Sequence, residues 1–145
     1  MTYVIRKAWF NAAHRLHNPD KSEEWNQNTF GECNSPNWHG HNYLIEVVVC
    51  GTPDSETGFI IDLGELADII ENEVIEPCDH KNLNLDVDFL RDVLPTTENL
   101  AEVFYRRLRE PVEKAASKGS RLYAVRLHET DRNCAEFRPE MPKIC

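Results

Sequence analysis

The sequence predicts an α+β domain in which two helices cover one face of an antiparallel β-sheet. Strand-like alternation of apolar residues runs through residues 3–14 and 38–50 and returns at residues 121–130. Between them, two segments within residues 62–108 carry apolar residues at three- and four-residue steps, which is the helical period. The predicted order is therefore β-β-β-α-α-β-β, and the length suits a single domain that spans residues 1–145.

The first half of the chain is predicted to hold three strands. Residues 3–14 have apolar side chains on both faces, which is typical of a strand that is at least partly covered on both sides. Residues 17–37 are rich in turn-forming residues and are predicted to form a loop. A second long strand over residues 38–50 ends in a hairpin-type turn, and residues 59–62, F-I-I-D, are predicted as a third strand.

Two helices are predicted next, each with a recognisable start. Asp62 is predicted to cap the first helix, with Glu65 completing a capping box, and this helix is expected to run to about Ile75 and to end at Pro77. Its apolar face is formed by Leu63, Leu66, Ile69 or Ile70, and Val74.

The second helix is predicted to begin at a cap formed by Thr96 or Thr97. Pro111 is expected to kink or interrupt it, because proline lacks a backbone donor. Its inward residues are Leu100, Val103, Phe104 and Leu108.

Strand alternation returns after this helix and predicts the end of the sheet. A short final strand is predicted near residues 134–137. The alternation over residues 121–130 places Leu122, Ala124, Arg126 and His128 on one face and Tyr123, Val125, Leu127 and Glu129 on the other.

Composition excludes several classes of protein. Twenty-five acidic against sixteen basic residues give a formal charge of −9, and no basic block forms, so nucleic acid is not an expected partner. The N-terminal residues lack the apolar core of a signal peptide, and no apolar run approaches the length of a membrane span. The five cysteines are odd in number and show no C-x-x-C spacing, which predicts reduced thiols and a cytoplasmic protein.

Three histidines are the strongest candidates for chemistry. On a strand, His39 and His41 point to the same face, about 7 Å apart along the backbone. His14, at the end of the first strand, would complete three neutral nitrogen ligands, the usual protein share of a catalytic Zn²⁺ with one open position. Histidines in strands are often ordinary partly buried residues, but Gly40 between the pair and Cys33 six residues upstream of His39 favour a metal site. Cys33 would serve there as a fourth ligand, a nucleophile or a base.

Five segments together resemble the 6-pyruvoyltetrahydropterin synthase family. They are A-A-H-R-L, C-N-S-P-N-W-H-G-H-N-Y, C-D-H-K-N-L-N, P-T-T-E-N and H-E-T-D-R-N, and they follow the family's order along nearly the whole chain. The resemblance implies the tunnelling fold, in which three subunits form a β-barrel and two trimers stack as a hexamer with active sites between subunits. Closing a barrel would also remove the exposed edges of a small open sheet.

The resemblance implies a zinc-dependent catalytic group. It makes the three histidines the zinc ligands, Cys33 the general base, and Asp79 with His80 the other members of a catalytic relay. A nearby cation would lower the pKa of the thiol from its usual value of about 8.5. Asp79 would orient His80 as in catalytic triads, and because adjacent side chains on an extended chain diverge, a local turn or a contact between subunits must bring the pair into use. The simpler interpretations are that Cys33 is an inert loop thiol and that Asp79 and His80 are an ordinary surface dipeptide.

The resemblance also implies the residues that bind substrate. It makes Glu129 the carboxylate that holds the N–H edge of a pterin ring, as a carboxylate pairs with a guanidinium. It also places Thr96 and Thr97 near the substrate, although a helix cap is their simplest role. The simpler interpretation of Glu129 is that it is a solvated residue on a strand.

The implied substrate is a small molecule, 7,8-dihydroneopterin triphosphate. The first of the two reactions that the resemblance implies eliminates triphosphate and gives 6-pyruvoyltetrahydropterin. A second family activity expels acetaldehyde and gives 6-carboxy-tetrahydropterin for queuosine synthesis. Five residues separate Cys33 from His39 here, which resembles the pyruvoyl-forming type. A subgroup that cleaves the side chain of dihydroneopterin has glutamate in place of the cysteine. Because Glu32 is next to Cys33 here, this side activity is a further alternative. A non-catalytic zinc scaffold closed by Cys33 is the alternative outside catalysis.

Overall fold

The computed structural model describes residues 1–139, which form a five-stranded sheet with two helices packed on one face. The order of strands in the sheet is β3-β1-β2-β4-β5, which confirms the α+β class. The strands are β1 (Thr2–His14), β2 (His39–Gly51), β3 (Lys81–Asn82), β4 (Arg121–His128) and β5 (Cys134–Phe137). The helices are α1 (Glu23–Phe30), α2 (Leu63–Ile70), α3 (Glu76–Cys78) and α4 (Thr97–Ala115).

The long hairpin of β1 and β2 is the centre of the sheet. The two strands pair antiparallel from Thr2 opposite Gly51 to His14 opposite His39. β4 pairs antiparallel with β2, and β5 pairs antiparallel with β4. β3 instead pairs in parallel with β1, through Lys81, so the sheet is mixed at this edge and antiparallel in its other three pairings.

The core lies between the sheet and helices α2 and α4. The rings of Phe10 and Tyr43, on β1 and β2, stack with centroids 4.9 Å apart, and Phe104 of α4 meets Phe10 edge-on at 6.0 Å. All three side chains are buried, and aromatic burial of this kind dominates the stability of a small core. Because the stack lies close to the ends of β1 and β2 that carry the histidines, it makes that end of the hairpin rigid.

A β-bulge changes the face pattern predicted for β4. Val48 pairs with Ala124 but Val49 pairs with Leu122, so Tyr123 is an extra residue on its strand. The bulge moves Leu122 into the core together with Val125 and Leu127, although the alternation predicts Leu122 on the opposite face. Strict alternation fails here because one unpaired residue shifts every later side chain by one position.

The helix that begins after Asp62 is longer than predicted. The carboxylate of Asp62 accepts hydrogen bonds from the backbone N–H groups of Gly64 and Glu65 at 2.7 and 3.0 Å, which confirms the cap. After α2, a π-helical turn over residues 71–75 leads directly into α3, so the helix continues through Pro77. Pro77 lies at the junction of the π-helical turn and α3, and the helix ends one residue later, at Cys78.

Helix α4 begins where predicted, at Thr96, whose hydroxyl accepts a hydrogen bond from the backbone N–H of Asn99 at 3.3 Å. It does not stop at Pro111 but continues to Ala115, so the predicted interruption is wrong. Leu108 and Val112, on either side of the proline, are fully buried, and their packing holds the last turn in place.

The predicted strand at residues 59–62 is wrong, since these residues form no strand. Ile60 and Ile61 are buried as part of the core, but the Ile60 carbonyl accepts a hydrogen bond from the backbone N–H of Ser117 and has no strand partner. An apolar run shows burial, whereas strand formation also requires a neighbouring edge to pair with.

The predicted loop at residues 17–37 contains a helix, α1, and a 3-10 turn over Gly31–Asn34. Ser22 caps α1, because its hydroxyl accepts a hydrogen bond from the backbone N–H of Trp25 at 3.1 Å. The buried amide of Asn26 binds the backbone of Asn18, at both its N–H and its carbonyl. Turn-forming residues thus serve here as caps and internal anchors.

The face of the sheet opposite the helices is open in the single chain. Tyr3, Ile5 and Trp9 of β1 are exposed there, with Trp9 64% accessible. Glu46 is 8% exposed on the same face, held by Lys7 at 2.9 Å and Arg126 at 3.2 Å. An exposed apolar strip of this kind is typical of a surface that another protein covers.

The described cysteines, Cys33, Cys50, Cys78 and Cys134, are all free thiols, and Cys145 lies outside the described residues. Within residues 1–139, no helix has the length and apolar character needed to cross a lipid bilayer.

Candidate metal centre and adjacent cavity

The register of β1 and β2 brings the three histidines together. His14 is the last residue of β1 and pairs directly with His39, the first residue of β2, while His41 lies two residues further along the same face. One ligand nitrogen from each imidazole lies within 4.8 Å of the others. The ring centroids are separated by 4.5 to 5.1 Å, so the rings surround a common point as the sequence predicts.

The nitrogens that face this point are buried and make no hydrogen bond to the described residues. They are Nε2 of His14, Nδ1 of His39 and Nε2 of His41. On the far side of its ring, His14 Nδ1 donates to the Pro95 carbonyl at 2.9 Å, since a carbonyl oxygen only accepts. That bond leaves the His14 Nε2 lone pair directed at the shared point, which is how proteins orient a histidine ligand. The site therefore fits a metal ion that prefers imidazole.

Burial favours the neutral form of two of these imidazoles, His14 and His41. It lowers the pKa of His14 and of His41, and this effect outweighs the attraction of the nearby Glu129 carboxylate. A neutral imidazole is the form that binds a metal, so the site is prepared for a cation at neutral pH.

The metal-free protein is expected to lose stability as the pH falls below about 6.5, the ordinary pKa of histidine. Because burial lowers the pKa of His14 and His41, the unfolded chain binds more protons than the folded chain below that pH, and acid favours unfolding. Urea unfolding of metal-free protein at about pH 7.5 and about pH 5.5 tests this. His14→Asn should show a smaller loss of stability between the two conditions, and an equal loss would contradict the assignment to the buried imidazole.

A cavity of about 520 Å³ adjoins the histidines through Glu129, which lines it and has its Oε1 3.5 Å from His14 Nε2 and 3.6 Å from His41 Nε2. It contains four of the predicted site residues, namely Cys33, Thr96, Thr97 and Glu129. The sequence did not single out the other residues that line it, which are Leu16, Glu98, Arg132, Asn133, Cys134 and Ala135. Glu98 follows the two threonines directly and Arg132 lies in the β4–β5 turn, so their positions next to predicted residues were the available signal.

Cys33 is held near His14 by backbone contacts. It lies in the 3-10 turn, where its carbonyl accepts a hydrogen bond from the Leu16 backbone N–H at 2.9 Å. Arg15 Nε donates to the neighbouring Asn34 carbonyl at 2.8 Å. Both contacts join the 3-10 turn to the chain just after β1, which explains how a thiol 19 residues from His14 reaches the same site.

The surroundings of Cys33 favour its neutral thiol. Burial, Glu129 and Glu32 all raise the pKa of Cys33 in the metal-free chain, whereas the resemblance implies a nearby cation that lowers it. Cys33 is also absent from the group of metal-ligating atoms formed by the described residues, which holds the three histidines alone. This geometry favours a base beside the metal centre over a fourth ligand in it.

Asp79 and His80 lie in a different place, at the edge of the sheet between α3 and β3. The Asp79 carboxylate accepts from His80 Nδ1 at 2.8 Å and from the Asn11 backbone N–H at 2.8 Å, so the pair is oriented as expected. The positive φ of 58° at His80 supplies the local turn that the pairing needs. His80 is 82% exposed, and neither residue lines the cavity that contains Cys33. A single chain therefore does not assemble the predicted relay.

Comparisons with known proteins find relatives that match nearly the whole chain. The family model described as 6-pyruvoyl tetrahydropterin synthase matches residues 3–140. A 6-pyruvoyl tetrahydrobiopterin synthase from Poecilia reticulata is 42% identical over 138 residues, which cover 95% of this chain and 90% of that one. The solved structure of Caenorhabditis elegans 6-pyruvoyl tetrahydropterin synthase superposes with a TM-score of 0.86 at 35% identity, and 96% of each chain is covered.

Relatives named for the alternative activity match less of the chain. A putative 6-carboxy-5,6,7,8-tetrahydropterin synthase from Archaeoglobus fulgidus is 33% identical over 100 residues, which cover 69% of this chain and 75% of that one.

Proposed function

The chain belongs to the 6-pyruvoyl tetrahydropterin synthase family of lyases, and on this premise we propose that it is zinc-dependent and acts on 7,8-dihydroneopterin triphosphate. The proposed reaction eliminates triphosphate and yields 6-pyruvoyltetrahydropterin. One observation carries the proposal: three unpartnered imidazole nitrogens converge beside a cavity that contains a thiol and carboxylates.

Zinc is proposed because three neutral imidazoles are a common donor set of catalytic zinc sites. His14, His39 and His41 would hold it. When bound, the ion supplies a Lewis acid that polarises the oxygens of the substrate's side chain and makes the adjacent C–H more acidic.

Cys33 is proposed as the group that takes the proton from that C–H. It lines the cavity and stands outside the group of histidine ligands, so it can approach a substrate that the metal site orients. Glu129 is proposed to hold the N–H edge of the pterin ring, and Thr96 and Thr97 to line the space around it.

Asp79 and His80 are proposed to complete the relay from a neighbouring subunit. The support is that His80 is highly exposed, is already oriented by Asp79, and does not line the cavity of its own chain. The open face of the sheet, with Tyr3, Ile5 and Trp9 exposed, would be covered when three chains close a barrel and two such trimers stack. The four free thiols of the described chain fit the cytoplasm as the proposed location.

Mixing two inactive variants is expected to restore activity if the relay forms between subunits. Cys33→Ala and His80→Ala each remove one member of the relay. In randomly mixed oligomers about a quarter of the sites would combine an intact Cys33 from one chain with an intact His80 from another. The test is the elimination rate of enzyme purified after co-expression of the two variants, with each variant alone as its control. A mixture as inactive as its components would contradict the shared site.

Arg132 is the best candidate for contact with the triphosphate. It is the one basic side chain among the described residues that line the cavity, and its own backbone is fixed by a hydrogen bond to Thr130. A guanidinium matches phosphate oxygens in pairs. Arg15 instead binds the Asn34 carbonyl, which gives it a structural role.

Arg132→Gln is expected to raise the KM for the triphosphate substrate about tenfold, the typical value of a lost charge-assisted hydrogen bond. Affinity for dihydroneopterin, which lacks the phosphates, should stay unchanged. Arg109→Gln is the matched control, because it removes the same charge from α4, where Arg109 pairs with Glu113 outside the cavity. Equal effects of both variants, or equal weakening of both ligands, would point to a general charge effect and count against a phosphate contact.

The carboxy-forming reaction is the second candidate, and the product distinguishes the two. Mass spectrometry after incubation with dihydroneopterin triphosphate should show a pterin that keeps its three-carbon side chain, and acetaldehyde release would show the alternative. The separation of Cys33 from His39 by five residues favours the first outcome. Side-chain cleavage through Glu32 has less support, since Glu32 is exposed and does not line the cavity.

A further inference from the structure

An apolar groove lies at the end of the sheet opposite the histidines, between the start of β1 and the start of α2. Its volume is about 330 Å³, and its walls include Thr2, Val4, Phe59 and Leu63. Thr2 and His14 are the two ends of β1, and no residue that lines the groove also lines the cavity beside the metal centre. The groove is therefore a separate feature, to which the proposed reaction assigns no role.

Two large apolar side chains line this groove without entering the core. Phe59 is 54% exposed and Leu63 is 49% exposed. The helical spacing predicts Leu63 on the buried face together with Leu66, and for Leu63 that prediction is wrong. Phe59 is held in place, because its carbonyl accepts a hydrogen bond from the Asp54 backbone N–H at 2.9 Å, while the Gly58 N–H donates to the Asp54 carbonyl at 2.8 Å. Apolar side chains that are held in place and still exposed indicate a binding surface.

The segment that forms most of this groove is strongly acidic. Residues 52–76 contain no lysine or arginine, and their acidic residues are Asp54, Glu56, Asp62, Glu65, Asp68, Glu71, Glu73 and Glu76. Within residues 1–139, Glu73 is the only one of these that forms an ion pair, with Arg107 at 2.6 Å. Asp62 lines the groove and Glu65 lies in the first turn of α2, and both are exposed. A complementary partner must therefore carry positive charge beside its apolar side chains.

We propose that this groove binds a short segment of a partner protein in which lysine or arginine residues flank apolar side chains. The apolar side chains enter the groove beside Phe59 and Leu63, and the basic side chains pair with the carboxylates of Asp62 and Glu65. Burial of the apolar anchors supplies most of the affinity, and the charges select the partner and its orientation. Nucleic acids and anionic membranes do not fit this surface, because both are negatively charged.

A model peptide tests the apolar part of the proposal with the purified full chain. The probe is a fluorescein-labelled peptide of leucine and lysine at helical spacing, and fluorescence anisotropy measures its binding. Phe59→Ser and Leu63→Ser should each weaken binding about tenfold, the usual loss for a central contact residue. Leu85→Ser is the matched control, because Leu85 is 65% exposed and lies outside the groove. Thermal unfolding of each variant checks the fold, which should stay intact because all three side chains are on the surface.

A charge-neutral double variant, Glu65→Gln with Asp68→Asn, tests the acidic part. It should bind the lysine peptide about threefold to tenfold more weakly than the wild type at low salt, and the difference should shrink at high salt. Glu23→Gln with Glu24→Gln is its control, since it removes the same charge from α1, outside the groove.

Four results would overturn the proposal. They are no binding of the lysine peptide, equal binding of a peptide with glutamate in place of each lysine, an equal loss of binding in the control variants, and a changed oligomeric state of Phe59→Ser in sedimentation. The last result would show that a second copy of this chain covers the groove. The expected result is binding that needs both the lysines of the peptide and the apolar side chains of the groove.

Discussion

His41→Ala is expected to release the metal and to reduce the elimination rate by at least about a thousandfold, since a catalytic metal contributes several kcal/mol to the transition state. His41 supplies one of three nitrogens that meet at a single point, and two imidazoles alone form a weak chelate. The measurement is metal content after dialysis, by plasma mass spectrometry, together with the rate of triphosphate release. His39→Ala should behave in the same way, because the strand places both rings on the same face.

His17→Ala is the matched control for metal content. Its Nδ1 contacts Asn34 at 2.8 Å and its Nε2 lies 3.8 Å from Glu23, so its ring is engaged outside the group of three. This variant should keep the metal content of the wild-type chain. If His41→Ala retains as much metal as His17→Ala, the ligand assignment is wrong.

Cys33→Ala is expected to lower the elimination rate by about a hundredfold to ten-thousandfold, the usual contribution of a general base, while the metal stays bound. The thiol lines the cavity but stands outside the histidine group, so its removal takes away a proton acceptor and leaves the ligands intact. Burial and the carboxylates of Glu129 and Glu32 raise the pKa of Cys33 in the metal-free chain, which favours the neutral thiol there.

Metal content distinguishes this outcome from the closed zinc scaffold. In that alternative, Cys33→Ala and His41→Ala should lose zinc to the same extent, because each removes one of four ligands. Retained zinc with a lost rate supports the base, and retained zinc with an unchanged rate would remove Cys33 from the mechanism. The first measurement is therefore zinc content, followed by the rate at saturating substrate.

Local patterns were sufficient for much of the fold. The alternation in residues 3–14 and 38–50 identifies the two long strands, and Asp62 and Thr96 mark the starts of two helices that the structure confirms. The wrong predictions occur where one local sequence pattern is compatible with two different structures. Residues 59–62 are apolar because they are buried, and whether they pair as a strand depends on a partner edge that is absent from their surroundings in the described chain.

The same distinction applies to the candidate site, part of which could be predicted from local patterns and part of which could not. The H-x-H pair could be predicted to share a face because strand side chains alternate, and the antiparallel register then places His14 opposite His39. Glu98 and Arg132 lie in two of the segments that resemble the family, but their places in the cavity depend on where a helix start and a hairpin turn meet the 3-10 turn. The separation of His80 from Cys33 likewise follows from β3, a two-residue strand that no periodicity reveals.

The sequence by itself determined which side chains share a face, including those of His39 and His41, and where helices start, because these follow from backbone geometry over a few residues. Only the tertiary structure decided that His14 lies opposite His39, that Cys33 lies outside the histidine group, and that His80 does not line the cavity of its own chain. Those relations join segments tens of residues apart, and their distances are set by packing and strand order, which local periodicity does not specify.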